Sequence, residues 1–197
     1  MAREIARRLG YVYVNSGAMY RAITWYALEN GFEQVPLDLP SLVAEADIRC
    51  QIAGQASCIL VDSVDPTPHL RDARVNDCVS QVSAVPEVRR IVDQLMRQCA
   101  REHNLVVEGR DIGSVVFPDT PYKFYIDASP DVRRKRRAAE GQRDEIAARD
   151  RADSSRVAAP LVIAEDALVI DSSHLTIDGV VGEIIGRLKQ KGLPVVS

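Results

Sequence analysis

The sequence predicts an α/β fold built around a parallel sheet. Short apolar runs at 105–108, 122–126 and 167–170 are continuous rather than alternating, which is typical of strands buried on both faces of a parallel sheet. Helical patterns separate most strand candidates, as parallel connections require. The segment 47–62 instead predicts an antiparallel hairpin that turns at Ala53-Gly54-Gln55-Ala56. We therefore expect a parallel core with a small antiparallel insert.

The first segments of the chain predict the order helix, strand, loop, helix. Residues 2–9 carry apolar side chains at helical spacing, and Gly10 follows at the position of a helix C-cap. Residues 11–14 form a β-rich run. That run leads into a second helix over about 18–29, for which Ser16 is a candidate N-cap.

Composition and charge exclude several classes of protein. A chain of 197 residues can bury one substantial core, so we expect a single domain over 1–197. With 25 basic and 28 acidic side chains, nothing global indicates a nucleic-acid or membrane partner. The sequence has no apolar run of about 18 residues and no secretion signal, so we expect a cytoplasmic protein. The four cysteines form no CxxC pair, which favours reduced thiols over a zinc site.

A series of arginines follows the strand candidate at 122–126. Such a series is most often only a solvated helix face. It also suits phosphoryl transfer, because the planar guanidinium binds phosphate oxygens bidentately and this chemistry mainly needs positioning and charge neutralisation. Zinc hydrolysis, a Ser-His-Asp triad and a thiol nucleophile all lack their residues at sensible spacing. The series consists of Arg133, Arg134, Arg136, Arg137, Arg149, Arg151 and Arg156, with Asp150 and Asp153 among them.

The buried strand at 105–108 runs directly into a glycine turn that bears two opposite charges. Ligands bind at the carboxyl ends of strands in open α/β sheets. Glu108 is a candidate to hold Mg²⁺ through water, and Arg110 is a candidate to meet an anionic substrate. A structural ion pair between Arg110 and Asp111 is the alternative, and the sequence leaves it open.

A third polar group surrounds the start of the second helix. Helix N-termini attract phosphate, and Arg21 lies about one turn beyond Ser16. Arg21 either reinforces an anion site there or pairs with a neighbouring acid, and spacing alone does not decide between them.

Taken together, these segments resemble the bacterial cytidylate kinases, in register from residue 2 to about 187. Each marker is weak alone, but seven in the family's order make coincidence implausible. The markers are Asn15-Ser16-Gly17-Ala18-Met19-Tyr20-Arg21, Leu70-Arg71, Ser80-Gln81-Val82-Ser83, Pro86-Glu87-Val88-Arg89, Gly109-Arg110-Asp111-Ile112-Gly113 with Val115-Val116-Phe117-Pro118-Asp119, Arg149-Asp150 with Asp153 and Arg156, and Ala159-Pro160-Leu161.

The resemblance implies a P-loop nucleoside monophosphate kinase fold with a parallel-sheet core, a CMP-binding insert at 47–84 and an arginine-rich lid at 133–156. It implies transfer of the γ-phosphoryl group of ATP to CMP or dCMP in pyrimidine nucleotide metabolism, with Mg²⁺ accompanying ATP. It further implies a monomer whose partners are these small molecules, with no nucleic acid and no membrane.

The resemblance also implies a set of site residues. Arg21, Arg89 and Arg110 suit the monophosphate. Ser80, Arg149 and Asp153 suit the base or the ribose hydroxyls. The substrate-binding set is Ser16, Gly17, Tyr20, Arg21, Ser80, Arg89, Gly109, Arg110, Asp111, Arg149 and Asp153. The catalytic set is Asp111, Arg133, Arg149 and Arg156.

Two departures from the family pattern accompany the resemblance. The family's phosphate-binding loop ends in Gly-Lys-Ser or Gly-Lys-Thr just before the helix at 2–9, and no such tripeptide occurs in the 197 residues. We therefore expect a natural chain that begins upstream with that loop and a central strand, without which 105–108 and 122–126 have unpaired edges. The alternative is a CMP-binding module with impaired catalysis. Arg137 and Arg149 are separated by only 11 residues, fewer than in many relatives.

Overall fold

The computed structural model describes residues 1–33, 38–139 and 162–194. The chain forms two compact units, one of Gly10–Gly109 and one of Met1–Leu9 together with Arg110–Ser197. The single domain over 1–197 stays a prediction. Of the predicted lid, the part from 140 onward lies outside the described residues, and Arg149, Asp153 and Arg156 lie there.

The unit Gly10–Gly109 is built on a four-stranded sheet with the order β2-β3-β1-β4. Strand β4 runs parallel to β1, with Glu108 opposite Asn15, so both strands end at the same edge. Strands β2 and β3 form the predicted antiparallel hairpin, which turns at Gly54 with φ of +61°. The strands are β1 (Val12–Asn15), β2 (Ile48–Ala53), β3 (Ala56–Val61) and β4 (Leu105–Glu108).

Within the described residues, four α-helices complete this unit. Helix α5 buries Val88, Val92 and Met96, which are spaced four residues apart and therefore share one face. Each such buried side chain contributes roughly 1.5–3 kcal/mol of hydrophobic stabilisation. Helix α2 packs against α4 and α5. The helices are α2 (Ser16–Glu29), α3 (Leu39–Glu45), α4 (Ala73–Val82) and α5 (Pro86–Glu102), with a 3₁₀ turn at Thr67–His69.

The second unit contains a two-stranded parallel sheet of β5 and β6. Helix α1 packs against α7, and the packed faces bury Ile5 and Leu9 on α1 and Val181 and Ile184 on α7. A π-helical turn at Ile112–Val116 precedes β5. The elements are α1 (Ala2–Leu9), β5 (Phe124–Asp127), α6 (Pro130–Ala139), β6 (Leu168–Asp171) and α7 (Ile177–Gln190).

Each sheet ends in a strand that is paired on one side. Within the described residues, β4 pairs with β1 alone and β5 pairs with β6 alone. Strands β2 and β6 are edge strands as well, and the upstream strand expected from the sequence stays a prediction. Among the described helices, none has the combination of length and apolar character needed to cross a membrane.

Candidate active site

A hydrogen-bond network joins the carboxyl ends of β1 and β4. The Tyr13 hydroxyl donates to Oε1 of Glu108 over 2.5 Å, and Nδ2 of Asn15 donates to the Tyr13 hydroxyl over 3.2 Å. The Ser16 hydroxyl donates to the backbone oxygen of Glu108 over 3.0 Å. The network therefore orients the Glu108 carboxylate at the edge where the sequence predicts ligand binding.

The N-cap of α2 is Asn15, and the prediction of Ser16 as the cap is wrong. Oδ1 of Asn15 accepts a hydrogen bond of 3.0 Å from the backbone N–H of Ala18. The helix begins directly where β1 ends, so the last strand residue, with its extended backbone, takes the capping position. Ser16 is then the first helical residue, and its buried hydroxyl is directed to β4 instead.

Arg21 on α2 is oriented by two neutral oxygens. Its Nη1 donates to the backbone oxygen of Gly17 over 3.0 Å, and its Nε donates to Oδ1 of Asn76 over 3.4 Å. Asn76 on α4 also donates from Nδ2 to the backbone oxygens of Arg71 and Asp72. These bonds fix the direction of the guanidinium, and a guanidinium held in one direction suits an anion-binding role.

Arg89 on α5 is buried and lies above the ring of Tyr20 on α2. Its Cζ is 5.6 Å from the ring centroid, a cation–π distance. Its Nη1 donates to the backbone oxygen of Ser83 over 3.2 Å. The structure thus brings two predicted binding residues into contact, since only 5% of Arg89 and 8% of Tyr20 are exposed. Ser80, the predicted binding residue on α4, is half-buried.

Arg110 and Asp111 directly precede the π-helical turn of the second unit. Asp111 is buried, and its backbone oxygen accepts a hydrogen bond of 2.9 Å from the N–H of Val115. Arg110 is half-buried. Arg110 and Asp111 therefore lie at the start of a turn that has its own hydrogen bonds. Both roles that the sequence allows for them, substrate binding and a structural ion pair, stay open.

Helix α6 carries the first predicted lid arginines. Arg133 is half-buried, whereas Arg136 joins α6 to the end of β6. Nη1 of Arg136 donates to the Ser172 hydroxyl over 2.9 Å, and Nη2 donates to the Ser172 backbone oxygen over 2.6 Å. Arg136 therefore has a structural role at the base of α6. Arg133 is the described lid arginine that keeps a predicted catalytic role.

The family of this chain is shown by its match to a family model. The cytidylate kinase family model matches residues 1–190. The chain belongs to the cytidylate kinase family. The α/β fold with its largely parallel sheet agrees with that assignment, so the predicted fold class is confirmed.

Curated relatives from several bacteria are similar over nearly the whole chain. The cytidylate kinase of Limosilactobacillus fermentum is 38% identical over 202 residues, which cover 96% of this chain and 89% of that protein. The cytidylate kinase of Streptomyces avermitilis is 38% identical over 200 residues, with 96% and 87% covered. A bifunctional pantoate ligase/cytidylate kinase of a Synechococcus strain is 40% identical over 204 residues, with 96% and 40% covered.

The described residues offer the Mg²⁺ that the sequence leads us to expect little direct ligation. They contain no group of three or more His, Cys, Asp or Glu side chains that could hold a metal. Glu108 is a single carboxylate, and one of its oxygens already accepts the bond from Tyr13. Because Mg²⁺ keeps several waters and prefers phosphate oxygens, Glu108 fits a contribution through water and not a dedicated protein site.

Three of the four cysteines are poorly suited to be reactive groups. All four are free thiols. Burial raises the pKa of the Cys50 thiol to about 12, and it also raises the pKa of the Cys78 and Cys99 thiols. Since the thiolate is the reactive form, Cys50, Cys78 and Cys99 are poor nucleophiles near neutral pH.

The sequence reasoning missed three site residues: Tyr13, Asn15 as the cap, and Asn76. Tyr13 and Asn15 are two positions apart on β1 and therefore face the same way. That alternation is a signal in the sequence that places Tyr13 on the same face of β1 as Asn15. No sequence signal connects Asn76 to Arg21, because they are 55 positions apart.

Proposed function

We propose that this chain phosphorylates CMP and dCMP with ATP; its curated relatives are named cytidylate kinases. The observation that carries the proposal is the family match over residues 1–190. The alternative of a CMP-binding module with impaired catalysis is not favoured by that match. The geometry supports the proposal because positively charged and hydrogen-bonding groups gather at the ends of β1 and β4.

The acceptor phosphate is bound by arginines in this proposal. Arg21 donates to the Gly17 backbone oxygen and Arg89 lies over the Tyr20 ring, so an arriving phosphate dianion finds guanidinium groups already aimed. Arg110 adds a third cation, and the N-terminus of α2 at Ser16 and Gly17 adds backbone N–H donors. Gly109 lies between the end of β4 and Arg110.

The reaction is an in-line displacement without a covalent enzyme intermediate. A phosphate oxygen of CMP forms a bond to the γ-phosphorus of ATP while the bond between that phosphorus and the β–γ bridging oxygen breaks, and ADP leaves. The cationic side chains reduce the repulsion between the two anionic reactants. Mg²⁺, when bound with ATP, neutralises further phosphate charge, and Glu108 would hold it through water.

The remaining roles are distributed over the base, the ribose and the transferred group. Ser80 would bind the pyrimidine base or the ribose hydroxyls, together with two residues outside the described part of the chain, Arg149 and Asp153. Arg133 would approach the transferred phosphoryl group, together with Arg149 and Arg156. Asp111, a buried carboxylate next to Arg110, would orient that arginine and the substrate. Tyr20 supports Arg89 through its ring face.

Acceptor binding and turnover are tested separately, because the sequence contains no Gly-Lys-Ser or Gly-Lys-Thr tripeptide. Calorimetry measures the binding of CMP, dCMP, UMP and AMP, and a coupled assay measures ADP release with ATP and Mg²⁺. We expect CMP and dCMP to bind more tightly than UMP or AMP, and ADP release to depend on CMP. Absence of both CMP binding and CMP-dependent ADP release would contradict the proposal. CMP binding without ADP release would favour the binding module.

A matched pair of variants tests the acceptor site. Arg110→Ala removes a proposed phosphate ligand, and Lys189→Ala removes an exposed cation on α7. We expect Arg110→Ala to weaken CMP binding by roughly tenfold or more, since a charge-assisted hydrogen bond is worth about 1.5–3 kcal/mol. Lys189→Ala should leave it unchanged.

In the same proposal the enzyme acts in the cytoplasm as a monomer, without nucleic-acid or membrane partners.

A further inference from the structure

Lys123 is a buried lysine whose three N–H donors are matched by three acceptors. Its side chain is 6% exposed and lies just before β5. Nζ donates to Oδ2 and Oδ1 of Asp166 over 2.7 and 2.8 Å, and to the backbone oxygen of Pro118 over 2.5 Å. A lysine is almost never buried without such pairing. The bond from Lys123 also holds the pKa of the Asp166 carboxyl below its usual value.

The stem of Lys123 supports the π-helical turn that follows Asp111. A Cβ atom placed on Gly113 would lie 3.2 Å from Cδ and 3.3 Å from Cγ of Lys123. The lysine therefore packs against the turn near its start at Gly113 and bonds to the chain just beyond its end at Pro118. The turn itself is closed by the bond from Val115 N–H to the Asp111 oxygen.

We propose that Lys123 is a positioning residue for the reaction, and that its ion pair with Asp166 fixes the turn that presents Arg110 and Asp111. The inference rests on the proposed function, in which these two residues bind CMP. Phosphate binding by an arginine depends on where its guanidinium is placed. A mutation far from the chemistry that misplaces a group by about 1 Å can lower the rate up to 10²-fold. We expect the loss of the Lys123 contacts with Pro118 and Gly113 to misplace Arg110, which directly precedes the turn.

Lys123 can be replaced without leaving a buried, unpaired carboxylate. The Asp166 side chain is 59% exposed, so water solvates it when the lysine is replaced. Lys123→Met keeps an unbranched apolar stem against Gly113 but removes all three donors. Asp166→Asn is the second variant, and it weakens the ion pair while leaving the lysine in place. Lys189→Met is the matched control at an exposed lysine on α7.

The test is a double-mutant cycle on CMP affinity, measured by calorimetry on the full chain. We expect Lys123→Met to weaken CMP binding about tenfold, Asp166→Asn to weaken it less, and Lys189→Met to leave it unchanged. If Lys123 acts through Arg110, then Lys123→Met adds little to the loss already caused by Arg110→Ala. A general structural defect would instead multiply the two losses.

The outcomes separate the inference from the proposed function. If Arg110→Ala leaves CMP affinity unchanged, the proposed role of the turn fails and the inference fails with it. If Arg110→Ala weakens binding while the Lys123 and Asp166 variants do not, or while the losses multiply, only the inference is overturned. Should Lys123→Met fail to fold, Asp166→Asn is combined with Arg110→Ala in the same cycle.

Discussion

The hydroxyl of Tyr13 donates a hydrogen bond of 2.5 Å to Oε1 of Glu108, from strand β1 to the neighbouring parallel strand β4. Tyr13 is buried, and Asn15 donates to the same hydroxyl from two positions further along β1. The carboxylate proposed to act on Mg²⁺ through water is therefore held by the strand that also leads into the substrate-binding helix α2.

Tyr13→Phe should destabilise the protein by about 1.5–3 kcal/mol, because a hydrogen bond to a charged, half-buried carboxylate is lost while the ring is kept. The free energy of unfolding from urea titration measures this. Tyr11→Phe is the matched control on the residue before β1, and we expect it to change the stability by less than about 0.5 kcal/mol. Equal effects of the two variants would contradict the importance of the Tyr13–Glu108 bond.

Asn15→Ala should cost about 1 kcal/mol of stability through loss of the α2 cap, with additional loss from the bond to Tyr13. Asn15→Ser retains a capping oxygen, so it should recover part of the loss. Chemical unfolding followed by circular dichroism checks both variants. A Ser variant as unstable as the Ala variant would argue against capping as the cause.

Asn76→Ala should weaken CMP binding roughly 2–12-fold, since the bond that aims Arg21 is worth about 0.5–1.5 kcal/mol. Calorimetric titration with CMP measures the change. Asp77→Ala, at the adjacent exposed position on α4, is the control and should bind CMP as the unmodified chain does. An unchanged affinity in Asn76→Ala would show that Arg21 does not depend on Asn76 for its orientation.

The pairing of Glu4 with Arg7 and Arg8 on α1 predicts a pH dependence of stability. Hydrogen bonds from Arg7 and then Arg8 lower the pKa of the Glu4 carboxyl from 4.5 to about 2. A carboxyl with a depressed folded-state pKa stabilises the fold above its unfolded value, and that stabilisation is lost as pH falls from about 4.5 towards 2.

Between pH 6 and pH 3 the unmodified chain should therefore lose more stability than Glu4→Gln, in which this group no longer titrates. Urea midpoints at the two pH values give the comparison. Glu102→Gln, at an exposed residue on α5, should behave as the unmodified chain does. The same acid sensitivity in all three proteins would rule out the Glu4 contribution.

Local patterns in the sequence predicted much of the fold. The continuous apolar run at 105–108 became β4 with the same bounds, and the turn at Gly54 became the hairpin of β2 and β3. Helix α1 ends at Leu9 before Gly10, whose φ of +68° is the left-handed conformation that a helix C-cap requires. These features depend on residues that are near in sequence, so periodicity and turn chemistry are sufficient to find them.

The sequence by itself determined the strands, the first two helices, the family and the arginines proposed to bind phosphate. Only the tertiary structure decided which groups orient them. Tyr13 meets Glu108 across 95 positions, Arg21 meets Asn76 across 55, and Lys123 meets Asp166 across 43. Such pairs depend on the order of strands in a sheet and on which helix faces pack together. Local spacing carries no record of either, because residues far apart in the chain become neighbours only when the core forms.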